Sequence, residues 1–147
     1  MSLVDFSNVL NIFGGGEPSA EEREALFKET MLMTLSRATS SDSNIDPAEV
    51  DTVQNVLKQK IGDEVSAADI RVAAASAIYE TAPLDKFLRR AGRKLSVQQC
   101  VAVTQSLADV IRSDDGVREA EVEFFNMVAS SLGVSPAQLA GLIPDQP

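Results

Sequence analysis

Residues 103–139 read VTQSLADVIRSDDGVREAEVEFFNMVASSLGVSPAQL, and this stretch decides the fold class. Apolar residues recur every three or four positions up to Ile111, which is the spacing of one helix face. Ser113-Asp114-Asp115-Gly116 interrupts the pattern. The helical spacing resumes at Glu119 and stops at Gly133, the residue type that most readily ends a helix. An earlier stretch, MLMTLSRATSSDSNIDPAEVDTVQNVLKQKIG at residues 31–62, runs in step with it. With Asp42 set on Asp114, Ile45 falls on Val117, Ala48 on Ala120, Glu49 on Glu121, Val50 on Val122 and Val53 on Phe125. Two copies of helix, acidic loop, helix predict an all-α, pseudo-symmetric domain.

Working outward, the helix starts are marked by hydroxyl or carboxylate residues followed three positions later by Glu or Gln. In this capping box the first side chain accepts an orphan N–H and the second bonds back. Ser19/Glu22, Asp46/Glu49, Ser96/Gln99 and Ser135/Gln138 all fit, with Pro47 and Pro136 at the first helical position. They place helices near 20–40, 47–61, 96–113 and 136–142, with others at 67–79, 84–93 and 119–132. The expected core faces are Val50, Val53, Leu57 and Ile61 in the second helix. In the 96–113 helix they are Val97, Cys100, Val101, Thr104, Leu107, Ala108 and Ile111. In the 119–132 helix Val122, Phe125, Ala129 and Leu132 form the stripe, widened by Phe124 and Val128. No stretch alternates long enough to predict a strand. One-sided helices on short loops must pack together, so we expect a single compact helical bundle.

Residues 1–18 stand apart as an arm, and residues 19–147 form the helical domain. The arm gathers Leu3, Val4, Phe6, Val9, Leu10, Ile12 and Phe13 before the Gly14-Gly15-Gly16-Glu17-Pro18 hinge. It reads either as a membrane-surface or partner-binding arm, or as a segment that docks on its own domain or frays. It contains no Lys or Arg, which counts against anionic lipid.

Composition narrows the function classes. The 147 residues suffice for one domain with a real core. A net charge of −9 argues against nucleic acid, whose binders carry a basic footprint. One cysteine and no signal segment are compatible with a reducing cytosol, and no apolar stretch is long enough to span a bilayer. The absence of histidine removes His-based acid–base and metal chemistry and leaves oxygen ligands. No nucleophile–base pair or phosphate-binding glycine loop is present, so no enzyme is expected. Cys100 lies on the apolar stripe with no basic neighbour and is expected to be inert.

The acidic loops admit two readings. Asp42, Asn44, Asp46 and Glu49, then Asp114, Asp115, Glu119 and Glu121, could hold Ca²⁺ or Mg²⁺ through carboxylate oxygens. Equally, acidic residues at helix N-termini complement the macrodipole and cap free N–H groups, while Ile45 and Val117 tuck the loops onto the core. Neither loop is an EF-hand. Counting from Asp42, Pro47 stands where Gly is required and Val53 where Glu is required. Opposite in sign, Lys86, Arg89, Arg90 and Arg93 fall near one helix face. They read as a surface for an acidic partner, anionic lipid or phosphate, or as a solvated face paired with the chain's own carboxylates.

The frame Asp-x-x-Ile/Val-x-x-Ala-Glu at Asp42–Glu49 and Asp114–Glu121 resembles the TerB-like family, named for tellurite-resistance protein TerB. That family's pattern is close to Asp-Gly-x-apolar-x-x-x-Glu between helices, often present twice, and Met31–Leu139 follows its layout. The family's glycine is Ser43 in the first copy and Asp115 in the second, with Gly116 displaced by one. The resemblance implies an all-helical domain of about seven helices in a cytoplasmic bacterial setting. It implies a link to tellurite resistance, stress response or membrane-associated complexes, an acidic surface suspected of binding cations, and no established enzymatic activity. The expected function is therefore a non-enzymatic helical module that binds or scaffolds a partner protein. Lys86, Arg89, Arg90 and Arg93 are its candidate partner surface. The alternative is a regulatory domain that binds a divalent cation through Asp42, Glu49, Asp114 and Glu121.

Overall fold

The computed structural model describes residues 19–38, 50–79, 84–113, 117 and 119–142, with the backbone alone for 75–79. Within them run seven helices: α1 (Ala20–Arg37), α2 (Val50–Ile61), α3 (Ala67–Tyr79), α4 (Leu84–Lys94), α5 (Val97–Arg112), α6 (Glu119–Leu132) and the single turn α7 (Pro136–Leu139). No strand occurs among the described residues.

Local chemistry sets the ends. At Ser19, Ser96 and Ser135 the hydroxyl accepts the N–H of Glu22, Gln99 and Gln138 at 3.1 Å, and each of those side chains accepts the serine N–H at 2.9 Å. That backbone hydrogen bond lowers the pKa of the Glu22 carboxyl, because only the ionised form accepts freely. The fourth expected box, at Asp46, lies outside the described residues. α6 ends in a Schellman turn. Val134 N–H reaches back to Ala129 O at 2.8 Å, Gly133 N–H bonds Ser130 O at 3.1 Å, and Gly133 takes φ +75°.

The architecture is organised around α1, which packs against α2, α3, α4 and α5. Surrounded on several sides, it buries an almost unbroken run: Leu26, Phe27 and then Thr30 through Ser36. Its buried Thr30 hydroxyl is satisfied within the helix, donating to Leu26 O at 2.7 Å. α5 is the second hub, touching α1, α2, α6 and α7. It buries Cys100, Val101, Thr104, Leu107 and Ile111 as expected, together with Val103, Ser106 and Val110. The additional residues follow from having neighbours on more than one side. Val97 is exposed, because it opens the helix beyond those neighbours, and Ala108 is half-buried. In α2, Val53 and Leu57 are buried while Val50 and Ile61 flank the core. α4 packs on both α1 and α6. It meets α6 so closely that a Cβ on Gly92 would lie 2.7 Å from the Leu132 carbonyl oxygen.

The stripe expected on α6 is only partly correct. Val128, Ala129 and Leu132 are buried and Phe124 and Phe125 half-buried, but Val122 is exposed and Glu121 is buried in its stead. The inner face is centred near Leu132. At about 100° per residue, Glu121 falls within about 20° of that centre and Val122 about 80° from it.

Candidate functional site

Of the four expected cation ligands, Asp42, Glu49 and Asp114 lie outside the described residues. Glu121 lies within them. It occupies the first turn of α6 with only 5% of its surface exposed, although its sequence neighbours Val122 and Glu123 face solvent. Among the described residues no three acidic or cysteine side chains converge as a metal cluster.

Glu121 instead forms part of an open cleft of about 260 Å³ where the end of α5 meets the start of α6. Ala108 and Ile111 line it from α5, and Val117, Val122 and Phe125 from the chain entering and forming α6. Arg112, on the wall, is held by Asp109 at 3.0 Å on the same helix. Val117 does not tuck onto the core as expected. It is 53% exposed and Val122 is 44% exposed, so two aliphatic side chains stand open to solvent beside a half-buried phenyl ring. Glu119 and Glu123 are exposed on the same first turns of α6. The cleft is therefore lined mainly by apolar side chains, with Glu121 and Arg112 as its charged lining residues, and this end of α6 exposes further carboxylates. Sequence reasoning missed it because Val122 and Phe125 were assigned to the core. The helical angle that buries Glu121 was the available signal.

The basic residues are brought together as expected. α4 buries Leu84, Phe87, Leu88 and Ala91, and on the opposite side exposes Lys86, Arg89, Arg90 and Arg93 within an arc of about 100°. Arg89 is paired with Asp85 one turn earlier at 3.1 Å. The C-terminal end of α4 is tied to the start of α1, where Arg23 donates its Nε–H to the carbonyl oxygen of Lys94 at 3.0 Å.

Cys100 is 4% exposed, and burial pushes its thiol up to about 11. The protonated form prevails at neutral pH, because a thiolate there would lose its hydration. Among the described residues no helix is long and apolar enough to cross a membrane.

No curated protein and no solved structure matches the chain. The family description "Tellurite resistance protein TerB" matches residues 28–142, from the first half of α1 through α7 and so across both the cleft and the basic helix. On that match, the chain belongs to the TerB family of tellurite resistance proteins.

Proposed function

We propose that this protein is a non-enzymatic, cytoplasmic binding module of the tellurite-resistance setting. It captures a partner protein in the cleft between α5 and α6. The observation that carries this reading is the exposure of Val117 and Val122 beside Phe125, on an end of α6 that also exposes Glu119 and Glu123. Adjacent exposed aliphatic side chains of this kind mark interaction surfaces. A volume of about 260 Å³ lies below the usual range for small-molecule sites and suits a single large side chain of a polypeptide. The exposed carboxylates on this end of α6 favour a segment in which that apolar residue is flanked by Lys or Arg.

The test uses synthetic peptides carrying Leu or Phe between lysines, with glutamate-flanked versions beside them. Titration into the labelled protein and NMR of the backbone amides should move Val117, Val122 and Phe125 for the lysine peptides only. Glu119→Lys with Glu123→Lys, or Val122→Lys, should remove the response. Unmoved cleft amides with every peptide would defeat the proposal.

A second reading, cation-dependent regulation through Asp42, Glu49, Asp114 and Glu121, is favoured by the burial of the Glu121 carboxyl at the start of α6. A ligand that binds only the folded chain stabilises it by about 2.7 kcal/mol at a hundredfold excess over Kd. Metal-stripped protein should then melt higher in Ca²⁺ or Mg²⁺, and the variant with Asp42→Asn and Asp114→Asn should not. A flat response would leave those acids as caps and surface charge.

A further inference from the structure

We propose that the cleft between α5 and α6 receives the basic face of α4 from a second copy of this chain, with Lys86 and Arg90 of one copy paired to Glu119 and Glu123 of the other. The inference rests on the reading of the cleft as a protein-binding site and names its partner. Two sets of exposed charge stand unmatched on the surface. Among the described residues Lys86, Arg90 and Arg93 form no ion pair, and neither do Glu119 and Glu123; Arg89 is partly neutralised by Asp85. The two sets lie on helices that pack together, α4 and α6, yet they do not pair within one copy.

The spacings of the two sets match. Lys86 and Arg90 are four residues apart on α4, as Glu119 and Glu123 are on α6, so each pair repeats after about 6 Å along its helix axis. Two cations therefore meet two carboxylates in one register. The apolar part fits as well. α4 exposes no aliphatic or aromatic residue on that face. Arg and Lys, however, bury their methylene stems on apolar surface while the charged heads stay in water. Laid across the start of α6, the Arg90 stem covers Val122 and Val117, and the cleft of about 260 Å³ holds one such side chain. Other occupants of the basic face fit less well. An anionic bilayer would meet the cations but find no exposed apolar side chain on α4 to enter the acyl region. Nucleic acid would meet a chain of net charge −9. A second copy supplies the acidic and the apolar halves together. Each contact joins two different patches, so repetition builds a ring or a chain of copies unless symmetry closes it as a pair.

The experiment measures the mass of the full chain in solution by sedimentation velocity from about 10 μM to about 1 mM. At about 0.1 M salt the Debye length is about 10 Å, which screens the repulsion between two chains of net charge −9 but leaves touching pairs intact. Wild type should rise above the 15.7 kDa of one copy as concentration increases, and return to it in about 1 M salt. Lys86→Glu with Arg90→Glu, and separately Glu119→Lys with Glu123→Lys, should each weaken association by about a hundredfold, because like charges then face each other. Mixed together, the two variants should associate again, since their reversed patches are complementary. All four positions are exposed, and far-UV circular dichroism checks that the helices persist. A wild type that stays at 15.7 kDa throughout, variants that associate as it does, or a mixture that stays apart would overturn the proposal. The cleft itself is judged separately. If lysine-flanked peptides still move the Val117, Val122 and Phe125 amides of a strictly monomeric wild type, the cleft serves a foreign protein and self-association is wrong. Binding of polyglutamate or of phosphatidylglycerol vesicles to monomeric wild type through Lys86 and Arg90 would likewise give the basic face to an acidic protein or to lipid.

Discussion

Replacing Gly92 with alanine adds one methyl group where α4 crosses the end of α6. The new Cβ would lie 2.7 Å from the carbonyl oxygen of Leu132 and 3.1 Å from its carbonyl carbon and Cα. Ordinary contact begins near 3.4 Å, so the helices must separate by about 0.7 Å. The obstacle is backbone at the Schellman turn that closes α6, and no side chain can rotate out of the way. Two effects oppose each other. Alanine in a helix is favoured over glycine by about 1 kcal/mol. Overpacking costs about 1–3 kcal/mol, and the upper part of that range applies when both partners are backbone. The net expectation is a loss of about 1–2 kcal/mol. For a chain of 147 residues the unfolding entropy is about 0.3 kcal/mol/K, so Tm should fall by about 3–6 °C. Thermal unfolding followed by far-UV circular dichroism measures it. A Gly92→Ala variant as stable as wild type, or more so, would show that helix propensity prevails and that the α4–α6 contact is not close.

Two other perturbations have definite expectations. Ser96→Ala removes the hydroxyl that accepts Gln99 N–H at 3.1 Å and should cost about 1 kcal/mol in denaturant unfolding. Unchanged stability would mean that water caps α5 equally well. Cys100 has its thiol pKa raised from 9.0 to about 11 by burial, so between those values the unfolded chain releases a proton that the folded chain retains. The contribution is fully present below pH 9 and is lost as pH rises towards 11. Stability of wild type should therefore decline over that window more steeply than that of Cys100→Val, and parallel curves would contradict the assignment.

The helices themselves were legible in the residues because their determinants lie within about four positions of one another. Ser19/Glu22, Ser96/Gln99 and Ser135/Gln138 close their boxes as spaced, and Gly133 stops α6 through bonds to Ser130 and its own neighbours. The all-α class, the basic face of α4 and the burial of Cys100 followed from periodicity in the same way. Asp42, Glu49 and Asp114, the residues on which the loop repeat turns, fall outside the described residues. Other features depended on how distant segments cross. Tertiary packing rotated α6 so that Glu121 faces inward and Val122 outward, since the inner face is chosen by α4 and α5 rather than by the most apolar stripe. It left Val117 exposed on the wall of the cleft. It also joined Arg23 to Lys94 across 71 positions of sequence, which ties the start of α1 to the C-terminal end of α4. Spacing along the chain specifies what each helix presents. Only the packed bundle specifies what each presented face meets, because that depends on the crossing of helices whose contacts are long-range in sequence.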